Sequence, residues 1–592
     1  MTKTQFIAAA GGNTPVDLLL TNARIVNVFS GEMLPGNIAI AGCHIVGIGD
    51  YAAKQVVDLK GKIVAPGFID PHLHIESAMV SVSEFARAVL ARGTTTVVAD
   101  PHEIANVLGI AGIRYMLDAA EGQPVNVYYT LPSCVPATEL ETAGARLAAG
   151  DLSPLMAHER ILALAEMMNF PGVIHRDSAV LEKIEIAETH GKKVDGHAPG
   201  LSGKALNAYI GAGIASDHEC TSALEARDKL RAGMHIMIRE GTGAKNLFDI
   251  LPLVNAGDCH RMMWCTDDRH PQDLLEKGHV DDLIRRAIQA GLDPVTAIRM
   301  GTLNPAEYFG LSHSGAIGPG RRADLVVLSD LSNLKIESVY SGGILSVENG
   351  YVLPGILFPT LPPPPPAMNV GISKPDFSIP LAGTDIRVIQ IIPDQIVTTA
   401  AFVPVSVKEN RAVADTRRDL LKIAVVERHK ATGNVGVGFV RGMGLKRGAI
   451  GASVAHDSHN IILVGENDTD MNTVLARIIE MGGGLAVACE GQILCELPLP
   501  VAGLMSGEPL AVVRNKLDEL TLAARSLGAV LSDPFMTLSF LALPVIPDLK
   551  ITDLGLVDVA SFKIVPLFQN HPDSAFLPWE IGRNDDQAPC RR

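Results

Sequence analysis

Apolar residues recur along the chain in distinct rhythms. Between residues 17 and 62, short β-rich runs at 23–28, 38–41 and 44–48 are separated by Gly, Pro and Asn, which predicts a small antiparallel β-element. From Ile63 the rhythm becomes strand, polar turn, helix, repeated. Ser81 and Glu84 have the spacing of a capping box, and Val82, Phe85, Ala86, Val89 and Leu90 then mark one helical face before Gly93. Further strands are predicted at 94–99, 125–131 and 161–165, and later ones end at His197, at His218, at Arg239-Glu240 and at Asp267-Asp268. A helix from Val280 repeats the pattern, with Leu283, Ile284, Ala287 and Ile288 on one face and Gly291 and Pro294 as stop signals. Eight strand–helix units over about 250 residues predict an α/β fold, a (β/α)8 TIM barrel.

Residues 323–329 and short segments up to 353 return to β character, and are expected to complete the N-terminal element as a flanking β-sandwich. The pentaproline at 362–366 reads as a stiff linker. Beyond it, strands at 388–392, 423–426 and 461–464 mix with helical stretches around 471–481 and 510–527, which predicts a separate C-terminal α+β domain. The expected units are therefore 1–62 with 316–357, the barrel over 63–315, and a third over 358–592.

Composition narrows the partners. With 592 residues, 47% hydrophobic and 19% charged, the chain can bury several cores. Its formal charge of −15, without a Lys/Arg run, argues against nucleic acid or an anionic membrane and favours a small neutral or cationic substrate. The eight cysteines lack a Cys-x-x-Cys pair, the usage of reduced thiols in a cytoplasmic protein. Neither a signal peptide nor a membrane span is predicted.

The polar residues at the strand ends carry the chemistry. His72 and His74 project to one side of an extended strand. Together with Glu166, His197, His218 and Asp267 they come from five strands, which only a closed barrel converges. Each has a bland alternative singly: the histidines as loop hydrogen-bonders, Glu166 and Asp267 as helix caps. Jointly, four imidazoles and two carboxylates suit two divalent ions with one bridging carboxylate and an open position for water, the site of a hydrolase. Asp100, His102 and Glu103 read equally as a helix start (Asp N-cap, Pro N1, Glu N3) or as groups touching substrate. Arg239 and Glu240 are candidate substrate contacts, Arg239 equally an ion-pair partner. Cys220 and Cys265 read as packing residues. His456-Asp457-Ser458-His459 suggests a second cluster, but with no framework evident around it a structural or interface role is expected.

His-x-His after the first strand, single histidines after the fifth and sixth and Asp after the eighth resemble the amidohydrolase superfamily. Thr302-Leu303-Asn304-Pro305-Ala306 and Gly318-Pro319-Gly320-Arg321-Arg322-Ala323-Asp324 are similar to its return from barrel to β-sandwich. Many members place a carboxylated lysine after the fourth strand; Glu166 stands there instead, with no lysine nearby. The runs around His72, Asp100 and Glu166, with 453–460 and 541–547, resemble the bacterial adenine deaminase family. That resemblance implies hydrolytic deamination of adenine to hypoxanthine by a metal-activated hydroxide. Asp267 would be the base and shuttle, Glu166 the metal bridge and a proton donor to the ring, and His218 would help polarise the water. It implies Mn²⁺ or Fe²⁺, with Zn²⁺ also compatible with the donors, and a homo-oligomer, a dimer. A cyclic-amide hydrolase of the dihydroorotase or hydantoinase type is the alternative, and Glu166 in place of lysine argues against it. A cytidine-type site is excluded by the lack of Pro-Cys-x-x-Cys. A non-catalytic binding protein ranks last, because all six donors are present.

Overall fold

The computed structural model describes residues 1–569 apart from 256 and 394, and shows a mixed α/β protein. Eight strands carry the candidate site: Phe68–Leu73, Thr94–Ala99, Asn126–Leu131, Ile161–Met167, Lys193–Gly196, Ser216–Asp217, His235–Arg239 and Met262–Cys265. The first five pair in chain order in one parallel sheet, the last three in another. Parallel bridges Val194–Ile214 and Leu73–Asp267 link the two sheets at both ends, so the eight strands follow one another in cyclic order. Phe68–Leu73 and Thr94–Ala99 are buried at every position, as strands covered on both faces must be. The expected helices lie outside them. Val82–Leu90 buries Val82, Phe85, Ala86, Val89 and Leu90, and Val280–Gln289 buries Leu283, Ile284 and Ala287.

The capping box does not form. Ser81 makes no side-chain cap, because its backbone N–H is taken by the Ser506 carbonyl at 2.9 Å and its hydroxyl by Ser83, while Glu84 pairs with Arg87. Ile63–Pro66, the opening of the apolar run that leads to His72, is also not part of the ring. It pairs in parallel with Arg24 and Ile25 and antiparallel with Leu325–Asp330, inside a nine-stranded sheet built from both the N-terminal and the post-ring segments. Gly67 lets the chain pass from that sheet into the ring: a Cβ here would lie 2.1 Å from Thr95 Oγ1.

The C-terminal half forms a second nine-stranded sheet, including Asp385–Ile391, Leu420–Val426 and Ile461–Gly465, packed by helices Asp468–Glu480 and Leu510–Ser526. It is docked on the ring by backbone and side-chain contacts. Ser506 N–H donates to the Met79 carbonyl at 2.9 Å, Asn460 Nδ2 to Thr142 O at 2.8 Å, and Thr552 Oγ1 to Leu140 O at 2.6 Å. No helix among the described residues is long and apolar enough to cross a membrane.

Candidate active site

The six residues singled out at the strand ends converge at one end of the ring. His74 Nε2 lies 3.2 Å from Asp267 Oδ1 and 3.4 Å from Glu166 Oε1, and His72 Nε2 lies 3.3 Å from Asp267 Oδ1. Glu166 Oε2 is 2.7 Å from His197 Nδ1 and 3.2 Å from His218 Nε2. Glu166 is thus shared between the His-x-His pair and the two later histidines. The His72 and His218 rings stack 3.9 Å apart. Glu166 projects from the end of a buried strand and Asp267 from a left-handed turn (φ 54°) just beyond one, so neither serves as a helix cap.

Supporting contacts fix these side chains. His74 Nδ1 faces the Asp100 carbonyl at 3.0 Å, which leaves Nε2 directed into the cluster, the usual arrangement of a ligand histidine. Beneath the His197 and His218 turns, the buried Lys229 ammonium donates to the Ala198 carbonyl and to Asp217 Oδ2, each at 2.7 Å. Asp70 accepts from Thr266 Oγ1 at 2.6 Å and ties the first strand to the eighth.

Charge in the cluster is set by these neighbours. Burial opposes ionisation of Glu166, but His218 and His197 beside it hold its carboxyl well below the usual range. Burial likewise opposes Asp267, and His72, His74 and Arg239 hold it well below that range too. Burial, with His72 stacked against it, pushes His218 down to about 4, which keeps its imidazole neutral with a lone pair to offer.

The other expected residues divide. Asp100 does not cap a helix; its Oδ2 accepts from His102 Nδ1 at 2.9 Å, and that nitrogen is also 3.4 Å from Glu166 Oε1. His102 is therefore inside the cluster. Arg239 bonds Glu219 and lies 3.1 Å from Asp267 Oδ2, so it enters as a partner of Asp267. Glu240 is not brought in: its carboxylate is held by Arg286 at 2.6 Å and by the Leu247 N–H at 3.2 Å, away from the cluster. Asp268 accepts a hydrogen bond from Ser77 Oγ, and Cys220 and Cys265 are buried.

One group was not legible in the sequence. His456 Nδ1 lies 2.7 Å from Glu103 Oε1 and His459 Nε2 bonds Oε2 of the same carboxylate, so the His-Asp-Ser-His segment does have an acidic framework around it. Glu103 in turn lies 3.5 Å from His102. The spacing of the histidines was a signal; their partner, 353 residues away in sequence, was not.

The donors suit divalent cations. His72, His218 and Asp267 form one buried group whose ligand atoms lie within 4.8 Å of one another. Glu166, His197 and His218 form a second, and His74, Asp100, His102 and Glu166 a third. Residues 63–345 match the amidohydrolase family, the class of metal-dependent hydrolase that this ring and donor set define. Residues 395–563 match the adenine deaminase C-terminal domain. An adenine deaminase from Desulfatibacillum aliphaticivorans is 56% identical over 95% of this chain and 99% of its own length. Adenine deaminase 2 from Carboxydothermus hydrogenoformans is 48% identical over 95% and 98%, and an adenine deaminase from Methanothrix thermoacetophila 49% over 95% and 99%. The chain belongs to the adenine deaminase family.

Proposed function

We propose that this protein is an adenine deaminase, which converts adenine and water to hypoxanthine and ammonia. Family membership over 95% of the chain, joined to the convergence of four imidazoles and two carboxylates, carries the reading. The cyclic-amidase alternative gains nothing from the geometry, since Glu166 itself occupies the position between the two histidine pairs. We read the eight-strand ring as a (β/α)8 barrel within 63–315, the opening run Ile63–Pro66 belonging to the flanking sheet. It is flanked by a β-sandwich from 1–62 and 316–357 and followed by an α+β domain over 358–592. The protein acts in the cytoplasm as a homo-oligomer, a dimer, without nucleic-acid or membrane partners.

His72, His74, Glu166, His197, His218 and Asp267 would hold two divalent ions, Mn²⁺ or Fe²⁺ with Zn²⁺ also suited to the donors. Such ions supply Lewis-acid activation of water near neutral pH. Asp267, with Oδ2 on Arg239 and Oδ1 facing the two ligand histidines, takes a proton from the attacking water and returns it to the departing amine. Glu166, which its neighbours keep ionised, would help hold the ions and would take the second proton of the water and pass it to a ring nitrogen, so that both protons of the water are placed. His218, kept neutral by its surroundings, orients the nucleophile at C6. Asp100, His102 and Arg239 are the proposed contacts of the purine.

Ammonia release and the adenine-to-hypoxanthine absorbance change, followed after separate reconstitution with Mn²⁺, Fe²⁺ and Zn²⁺, test the reading. Metal-dependent turnover that vanishes in His72→Ala is expected. No turnover of adenine in any loaded form would overturn it and turn attention to dihydroorotate and hydantoins.

A further inference from the structure

Asp457 lies in sequence between the two histidines that grip Glu103. It is 3% exposed, and its Oδ2 is buried without a hydrogen-bond partner among the described residues. An ionisable oxygen removed from water without a donor is costly, and native proteins rarely leave one so unless something else supplies the donor. The segment that carries it is not loose. His459 Nδ1 accepts the Ala455 N–H at 3.2 Å, which places its proton on Nε2 and makes that nitrogen the donor to Glu103. The His456 ring stacks on Phe540, 4.6 Å away, and Asn460 is tied to the Thr142 carbonyl. Asp457 is thus presented rigidly toward the ring.

Its surroundings are those of the reaction site. Ligand atoms of Asp457, His102 and Glu103 lie within 4.8 Å of one another, and His102 is 3.4 Å from Glu166. The carboxyls whose charge it feels, Glu103 and Glu166, are held ionised and have no proton to donate, and Glu141 makes no hydrogen bond to it either. The missing partner is therefore a donor that arrives with the substrate. Adenine as a free base has such a donor in its imidazole-ring N–H, and loses it when that nitrogen carries a substituent.

We infer that Asp457, supplied by the C-terminal domain, is a substrate-binding residue that accepts the imidazole-ring N–H of the purine and so selects free bases over N-substituted ones. His456 and His459 are positioning residues that hold it through Glu103. This rests on the adenine reading above.

The test uses full-length, metal-loaded enzyme, with adenine, 7-methyladenine and 9-methyladenine as substrates. In the wild type, methylation at the contacted nitrogen is expected to lower kcat/KM by about 10- to 100-fold, the worth of a hydrogen bond to a charged acceptor. Asp457→Ala should raise KM for adenine by a similar factor, change kcat little, leave the metal content unchanged and abolish the methylation penalty. Asp457→Asn, which retains an acceptor of the same shape, should fall between and guards against a folding defect in the alanine variant. A methylation penalty undiminished in both variants overturns the inference. So does loss of metal from either, which would make Asp457 a cation ligand instead. A wild type inactive on adenine overturns the adenine reading itself, whereas an active wild type with unaltered variants overturns this inference alone.

Discussion

Lys229 offers a sharp test of what holds the fifth and sixth strand ends in place. Its ammonium is fully buried and donates at 2.7 Å to Asp217 Oδ2, to the Ala198 carbonyl and to Glu225 Oε1. Asp217 and Ala198 are the immediate neighbours of His218 and His197. Lys229→Met keeps most of the aliphatic stem but leaves the Asp217 carboxylate, itself fully buried, without its counter-charge. Breaking a buried pair from one side costs about 3–5 kcal/mol, because an uncompensated charge stays behind. That is about 150- to 4,500-fold in the unfolding equilibrium. The assay is urea unfolding followed by fluorescence of Trp264, which is buried in the eighth strand, in a Trp579→Phe background at fixed metal concentration. Adding Asp217→Asn removes the stranded charge and should recover at least about 2 kcal/mol. A single variant within about 0.5 kcal/mol of wild type, the range of ordinary surface substitutions, would mean that the Lys229–Asp217 pair does not hold these strand ends. So would a double variant no more stable than the single.

Asp267→Asn should lower kcat by about 10²- to 10⁴-fold with metal retained, measured by turnover alongside metal analysis; near-full activity would move the base assignment to Asp268. Arg239→Gln removes a cation that helps keep Asp267 ionised, so the Asp267 pKa rises and the acidic limb of the kcat/KM profile should move to higher pH. Gly67→Ala should cost about 1–3 kcal/mol from overpacking against Thr95, and adding Thr95→Ala should restore most of it in thermal melts. Chelation should abolish turnover, and restored activity on adding back Mn²⁺ would exclude irreversible unfolding as the cause.

The ring was readable where its strands are apolar runs that stop at a polar residue, as at Thr94–Ala99, Ile161–Met167 and Met262–Cys265, and those stops are where the chain reaches the site. Glu166 and Asp267 stood out for that reason, although either could have been a cap when read locally. What the sequence hid depends on partners distant along the chain. Ser81 looks like a capping residue until Ser506 takes its N–H. Asp100 likewise reads as an N-cap, but His102 competes for its carboxylate and wins. Ile63–Pro66 has the composition of a ring strand, and only its pairing with Leu325–Asp330 assigns it to the flanking sheet. Glu240 has the same strand-end position as the ligands, yet Arg286 on a neighbouring helix claims it.

The grip of His456 and His459 on Glu103 also has a consequence for how the protein is made. A ribosome adding about 5–20 residues per second needs roughly 20–70 s to travel the 353 residues from Glu103 to His456. Within that interval the eighth strand is finished at Cys265, yet the acid at the second strand's end still has neither of its histidines. A nascent chain halted there carries an acid whose two histidine partners only the C-terminal region can supply.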